Sequence, residues 1–461
     1  MSNLSISPSA TNHEIPGQTP PGSGDLQQTF RPSGTIDLRR WWSDARTSFL
    51  WIVLFALILR IGYIVVAHTY RFKPDNDNFG FGFEMGRIGR SLALGEGFGN
   101  PFDGITGPTA WEPPLYPFLV AGVFKFFGIY TPVSAFVLLS VNGFFSALTC
   151  IPIFLIARRC FTEQVAVWSA WAWALLPPII FWSTRYVWET SLAALLLALI
   201  FWLTLLLEEQ NGLKGWVCFG LLWGVSALVN TSLLSFLPAS ALWVWYRRAK
   251  RGQSSVTNML VVTFVFALCL TPWVARNYHV FGKFIFIRSD FGAELRLGNG
   301  PGANGSWMDY LHPTKNIQQL HSYGEMGEIA YVTERTREAI TFIREDYGRF
   351  AGLCLKRFLY FWAGVPREDL LRTLLANSLY VGSSFLAIWG LARALRKHRP
   401  GAWLFLWLML LYPLPYYITF VLPRYRHPIE PELVILIMYG ISAAFRRTHD
   451  PRMELAHGTV S

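Results

Sequence analysis

The chain has 461 residues, is 52% hydrophobic with only 15% charged side chains, and carries a formal net charge of +11. Soluble domains hold about 25% charged residues. Here the apolar residues gather into runs of roughly 15–22, the length that crosses a bilayer core, which excludes a soluble globular protein. Nucleic acid is not the partner of the positive charge, because that charge falls in short clusters between apolar runs: "RR" at 39–40, "ARR" at 157–159, "RRAKR" at 247–251, "RALRKHR" at 393–399 and "RR" at 446–447. This is the positive-inside pattern of cytoplasmic loops.

In chain order, the first 35 residues are rich in Ser, Pro, Gly, Thr and Gln, a composition that favours disorder. They lack the short apolar stretch of a signal peptide, and Arg39, Arg40 and Arg46 place 1–47 in the cytoplasm as a disordered N-terminus. Apolar spans follow at about 48–67, 133–157, 165–181, 190–207, 215–230, 232–246, 258–274, 373–392, 402–421 and 431–445, with shorter segments at 113–127 and 352–364. The expectation is an all-α polytopic integral membrane protein of about 11–13 spans. Two polar stretches interrupt it, at 68–112 and 275–351. The organisation expected is a membrane module over 48–274 that includes the first loop, a second loop or small α-rich subdomain over 275–351, C-terminal helices over 352–445 and a cytoplasmic tail over 446–461. If every basic cluster is cytoplasmic, both polar stretches are extracytoplasmic. That holds when 113–157 amounts to one crossing or 113–127 is re-entrant; two full crossings there would put "ARR" outside. Cys150, Cys160, Cys218, Cys269 and Cys354 lie in or beside apolar runs without metal-ligand spacing and read as packing residues.

The unusual polar residues collect at extracytoplasmic span ends, where ionisable groups are costly and mark sites. The first loop, "KPDNDNFGFGFEMGRIGRSLALGEGFGNPF", places Asp75, Asp77 and Glu84 within ten residues of one another. Glu84 opens a helical pattern with Met85, Ile88 and Leu92 on one face; solvated acids on an interfacial helix are the plain alternative. "TAWEPPLYPFL" sets Glu112 against Pro113 and Pro114, a hard helix start. Glu189 in "STRYVWETS" sits at a turn between spans, either as a site residue or as a carboxylate favoured by the helix dipole. Arg276 and Asn277 in "TPWVARNYHVFG", and Arg424, Arg426 and His427 in "LPRYRHPIEPEL", run against the positive-inside trend. An anionic ligand in the outer leaflet would account for them, as would headgroup snorkelling.

The order of these pieces, an acidic first loop, a helix ending in "LxxGxGF", "PPLYP" opening a span, "PWxxRN" after a later one and "RYRHPIEP" before the last, resembles the GT-C membrane glycosyltransferases. The likeness is to the protein-mannosyltransferase and aminoarabinose-transferase-like group, glycosyltransferase family 39 and relatives, over roughly 48–445. The resemblance implies transfer of a sugar from a polyprenyl-phosphate-linked donor to a hydroxyl acceptor on the extracytoplasmic side, with inversion. A first-loop carboxylate would be the general base, and the arginines would stabilise the departing lipid phosphate. Relatives carry an aspartate where this chain has Phe81, so the base falls to Glu84 or Asp77, with Asp75 third. Glu112 stands where some relatives have a lysine that contacts the phosphate, so that task would pass to Arg276 or Arg424. The partners expected are the lipid-linked sugar, an acceptor that is lipid, glycan or protein, and membrane lipids. No cofactor is required; clustered carboxylates suit a hard divalent cation, and no metal site is spelled out. A transporter or flippase of a lipid-linked or anionic substrate would bury its ionisable groups mid-span within repeated halves, and an inactive GT-C-like scaffold is the third reading.

Overall fold

A computed structural model describes residues 48–73, 79–210, 212–366 and 370–448. The expected disordered N-terminus 1–47, the acids Asp75 and Asp77, and the end of the tail from 449 lie outside the described residues. Among the described residues the fold is helical, and β structure is limited to two isolated bridges, Gly99 with Pro108 and Ser306 with Val421. By length and composition five helices suffice to cross a membrane: 49–66, 132–160, 256–281, 373–396 and 423–445. A bent pair adds a sixth, and shorter apolar helices cover 115–127, 190–206, 213–229 and 402–418. The chain is a multi-pass membrane protein.

Helix α1 (Phe49–Val66) buries one charged side chain, Arg60, completely. α2 (Glu84–Leu94) follows in the first loop, then α3 (Leu115–Phe127), which starts directly after Pro113 and Pro114. At 13 residues α3 is about 20 Å long, short of the roughly 30 Å bilayer core. Both its ends touch the first loop: Phe118 meets Phe98 at 5.8 Å, and Phe124 meets Phe81 at 5.5 Å. α3 thus lies against the first loop along its length. α4 (Pro132–Leu148) and α5 (Cys150–Cys160) run on as one 29-residue apolar stretch, long enough to cross a membrane. Thr131 starts it, its hydroxyl accepting from Ser134 N with Pro132 at the first helical position, where a missing N–H is no loss.

α6 (Glu163–Leu175) and α7 (Pro177–Arg185) meet at a 49° bend. Pro177 and Pro178 have no N–H to return to the carbonyls four residues earlier, those of Trp173 and Ala174. The Arg60 guanidinium takes both, each at 3.2 Å, and adds Ala56 O and Ser146 Oγ at 3.0 Å. A charge buried in a membrane helix is thus solvated by dipoles that a proline kink released.

α8 (Thr190–Leu206), α9 (Leu213–Val229) and α10 (Leu237–Ala249) complete the first half of the bundle. Their connections meet the end of α5: Arg159 pairs with Glu209 at 3.0 Å, Arg247 with Glu208 at 3.0 Å, and Arg251 with Glu209 at 3.3 Å. These basic clusters share one end of the bundle. α11 (Val256–Phe281) runs to Phe281, seven residues beyond the expected span, so Arg276 and Asn277 lie in its last turns. The second loop holds α12 (Phe291–Gly298), α13 (Ile317–Met326) and α14 (Glu328–Glu345). α15 (Tyr347–Ala363), α16 (Leu370–Arg396), α17 (Ala402–Leu411), the short α18 (Leu414–Ile418) and α19 (Glu430–Thr448) close the chain.

Candidate active site

The two polar loops interlock at the end of the bundle opposite the basic clusters. Glu328 at the start of α14 is the clamp. Its carboxylate accepts from the Thr109 hydroxyl, from Ala110 N at 2.8 Å, from Ser289 Oγ at 2.7 Å and from Tyr323 OH at 2.8 Å. It is 4% exposed, and an orphaned carboxylate at that depth would be costly. Arg276 fastens the same first-loop stretch from below. Its guanidinium donates to Thr109 O and Phe98 O and lies over the Trp273 ring at 4.9 Å. Asn277 donates to Ile285 O and Ile287 O at 3.4 Å. Both side chains hold the segments that frame the site.

Glu84 owes its position to strained backbone. Gly82 sits at φ +83°, where an added Cβ would strike Val187 O, and Phe83 takes φ +42°, a region that costs a non-glycine residue energy. The following carboxylate begins α2, where the helix dipole favours negative charge. Thr314 Oγ1 donates to Glu84 Oε1 at 2.9 Å, and His312 Nε2 lies 3.7 Å from the same oxygen. Glu84 Oε2 has no hydrogen-bond partner among the described residues.

Glu112 faces the second loop. Arg288 Nη2 stands 3.7 Å from Glu112, 3.7 Å from Glu294 and in direct contact with Asp290, while its Nε donates to Trp111 O at 2.9 Å. One guanidinium does not offset the burial of both Glu112 and Asp290. Burial pushes Glu112 up to about 8; the charges of Glu84, Glu189 and Glu294 push the same way against the pull of Arg288. Burial raises Asp290 as well, with Arg288 opposing. The cluster therefore holds a proton near neutral pH. Burial alone would lower Arg288, but Asp290, Glu112 and Glu294 outweigh it and raise it.

Glu189 precedes α8 and is 8% exposed; Oε1 accepts from Asn230 Nδ2 at 3.0 Å, whereas Oε2 is buried without a partner. Asn142, in the long span, donates to Tyr186 O and Trp188 O at 3.2 Å and fixes the turn before Glu189. Arg424 lies with its guanidinium 4.0 Å over the Trp188 ring, within electrostatic reach of Glu189 and Glu112. Arg426 and His427 are turned elsewhere. Arg426 donates to Ser383 Oγ, Ser384 Oγ and Tyr380 O, and His427 Nδ1 meets Glu430 at 2.8 Å while its ring stacks on Trp173.

Of the residues singled out in the sequence, Glu84, Glu112, Glu189 and Arg424 are brought to one region. Arg276, Asn277, Arg426 and His427 are committed to other protein groups beside it, and Asp75 and Asp77 lie outside the described residues. Sequence reasoning passed over Arg288, Asp290, Glu294, His312 and Thr314. The signal for the first three was present in "IRSDFGAEL", three ionisable groups within seven residues of a largely apolar stretch. Among the described residues, no three His, Cys, Asp or Glu side chains are grouped to hold a metal ion.

Comparison with known proteins places this arrangement. Residues 111–275 match the family model described as dolichyl-phosphate-mannose-protein mannosyltransferase, a segment that holds Glu112 and Glu189 and stops just short of Arg276. No curated protein sequence matches the chain. Among solved structures it is similar to the Archaeoglobus fulgidus oligosaccharyltransferase AglB in complex with an inhibitory peptide and a dolichol-phosphate, with TM-score 0.52 and 14% identity over 92% of this chain and 53% of that one. The complex of the Archaeoglobus fulgidus enzyme with zinc and sulfate gives TM-score 0.50 and 14% identity over 87% of this chain and 49% of that one. ArnT from Cupriavidus metallidurans bound to undecaprenyl phosphate gives 0.36 and 11% identity over 89% and 81%. The chain spans about half the length of the oligosaccharyltransferases it matches, and at these identities the likeness is one of fold. The chain thus shares the fold of a membrane oligosaccharyltransferase, and its segment 111–275 is similar to the dolichyl-phosphate-mannose-protein mannosyltransferase family.

Proposed function

We propose that the protein transfers a sugar from a polyprenyl-phosphate-linked donor to a hydroxyl acceptor at the extracytoplasmic membrane face, with inversion. One observation carries this reading: Glu84, Glu112, Glu189 and Arg424 share the bundle end opposite the basic clusters. By the positive-inside trend that end is extracytoplasmic. The dolichol-phosphate held by the oligosaccharyltransferase supports a lipid phosphate as the carrier.

In this reading Glu84 Oε2 removes the acceptor hydroxyl proton as the oxygen attacks the anomeric carbon. The bond from that carbon to the phosphate oxygen breaks, and polyprenyl phosphate leaves with the electron pair. Arg424 is the cation placed to receive it. Among the described residues its guanidinium meets only the Trp188 and Tyr425 rings and the Tyr425 hydroxyl, whereas Arg276, Arg288 and Arg426 are spent on protein acceptors. Arg276 then acts as a brace for the first loop. The neutral carboxyl of the Glu112 cluster can donate a hydrogen bond to sugar or phosphate. The acceptor, lipid, glycan or protein, meets the second loop.

The test uses the full chain in lipid nanodiscs with a radiolabelled polyprenyl-phosphate hexose, reading transfer to membrane acceptors and release to water. Glu84→Gln is expected to remove both. Unchanged turnover in that variant sinks the base assignment, and movement of the lipid-linked sugar across the bilayer without transfer would favour the transporter reading.

A further inference from the structure

We propose that His312 and Thr314, carried by the second loop, are positioning residues that hold one oxygen of Glu84 so that the other faces the acceptor. The inference rests on the reading of Glu84 as the base and adds where its geometry comes from.

Thr314 Oγ1 donates to Glu84 Oε1 at 2.9 Å, and Arg87 Nη1 donates to Thr314 Oγ1 at 3.5 Å. The hydroxyl is thereby oriented with its proton toward the carboxylate. His312 is 7% exposed and packs edge-on against Phe102 and Trp111, which fixes its ring plane. Thr314 N donates to His312 Nδ1 at 3.2 Å, so Nδ1 is the acceptor and the ring proton sits on Nε2, the atom 3.7 Å from Glu84 Oε1. Burial lowers the tendency of this imidazole to charge, with Glu84 pulling the other way, in keeping with a neutral donor. Thr314 is bonded to Oε1 and His312 Nε2 faces the same oxygen from 3.7 Å, while among the described residues Oε2 has no such partner. Catalytic hydrogen bonds are often long before substrate binds and tighten with it, and the 3.7 Å gap is of that kind. The other charged groups facing this pair are Arg87 on α2, Glu112 on the first loop, Glu294 on α12 and Lys315 beside Thr314. A base oriented by a neighbouring group is the general design of activated catalytic side chains.

Two elements far apart in sequence therefore build one base. The carboxylate comes from the first loop and its orientation from the second, so Glu84 is competent only while the second loop is docked through Glu328.

The test reads the carboxylate directly. Infrared spectra of the full chain in nanodiscs identify the Glu84 carboxylate stretch by its loss in Glu84→Gln. Thr314→Val and His312→Phe are expected to shift that band, Thr314→Ser to restore it, and His312→Gln, which keeps an N–H near the Nε2 position, to stay close to wild type. In hexose transfer, Thr314→Val and His312→Phe are expected to lower kcat about tenfold with KM little changed, within the range one oriented proton-transfer group supplies. Neither is expected to lower the residual rate further in a Glu84→Gln background. An unmoved band in both Thr314→Val and His312→Phe, or full additivity with Glu84→Gln, overturns the proposal while leaving the base assignment standing. Wild-type turnover in Glu84→Gln would overturn the base assignment whatever the band does. Should His312→Phe fail to fold, the Thr314 pair carries the same test.

Discussion

The two ends of the bundle treat charge in opposite ways. At the basic end Glu208 is shared by Arg247 and Arg251 and Glu209 by Arg159 and Arg251, on arginines that keep contact with solvent: Arg247 is 38% exposed and Arg251 35%. At the loop end Glu112, Asp290 and Glu294 gather around Arg288, Glu189 lies near Arg424 and Glu84 near Arg87, and Glu112, Glu189 and Asp290 are buried. The basic end keeps a net positive charge, and its ion pairs fasten the connections to one another. The loop end buries its carboxyls, raises Glu112 to about 8, and among the described residues leaves Glu189 Oε2 without a hydrogen-bond partner. Ionised carboxyls in a buried place cost stability, and burial there favours their protonated form.

Substitutions can break or sharpen that contrast. The largest effect is expected from Glu84→Gln, which should cost roughly 10²–10⁴-fold in turnover with unchanged expression and melting behaviour. Next, Arg424→Ala should lower kcat by about 10²–10³, with Arg424→Lys recovering part of it, measured with the same hexose donor. Glu112 gives a smaller effect with a definite sign. Its carboxyl is held up at about 8, so its contribution to stability is complete below the ordinary carboxylate range and is lost as pH rises through about 8. The wild-type melting temperature should fall over that window. Glu112→Gln, neutral throughout, should flatten the fall by a few degrees, on the order of 1 kcal/mol. The smallest effect belongs to the basic end. Arg159→Ala or Arg247→Ala should change stability by no more than about 1 kcal/mol, since each breaks a partly exposed pair, and should leave transfer unaltered. Activity falling as far there as at Arg424 would erase the distinction between the ends.

What could be read in advance follows the same division. Spans, basic clusters and the hard start at Pro113 are written in local composition and hold without reference to any distant residue. Glu112 was visible because a carboxylate against two prolines at the mouth of an apolar run has no local reason to be there. Glu84 was visible as the first residue of a periodic helix. The partners were not visible. His312 and Thr314 reach Glu84 across more than two hundred residues, and only the docking of one loop on the other brings them together. Arg276 shows the converse. Its charge at a span end is plain in the sequence, but the Thr109 and Phe98 carbonyls that take it up are supplied by tertiary structure. The packing of 113–127 needed the structure too, because a 13-residue apolar helix does not show in its sequence what its ends touch.

The arrangement around Arg60 bears on how the protein is made. α1 leaves the ribosome first and must enter the bilayer with its arginine before α6 and α7 exist. During that interval Arg60 carries the insertion penalty of a mid-membrane charge, about 2.5–3.5 kcal/mol on translocon scales, offset by the apolar run around it. The debt is cleared more than a hundred residues later, when the kink at Pro177 and Pro178 presents the Trp173 and Ala174 carbonyls. Chains that lose the kink would leave α1 loosely held and open to membrane quality control, even with every residue of the loop-end site in place.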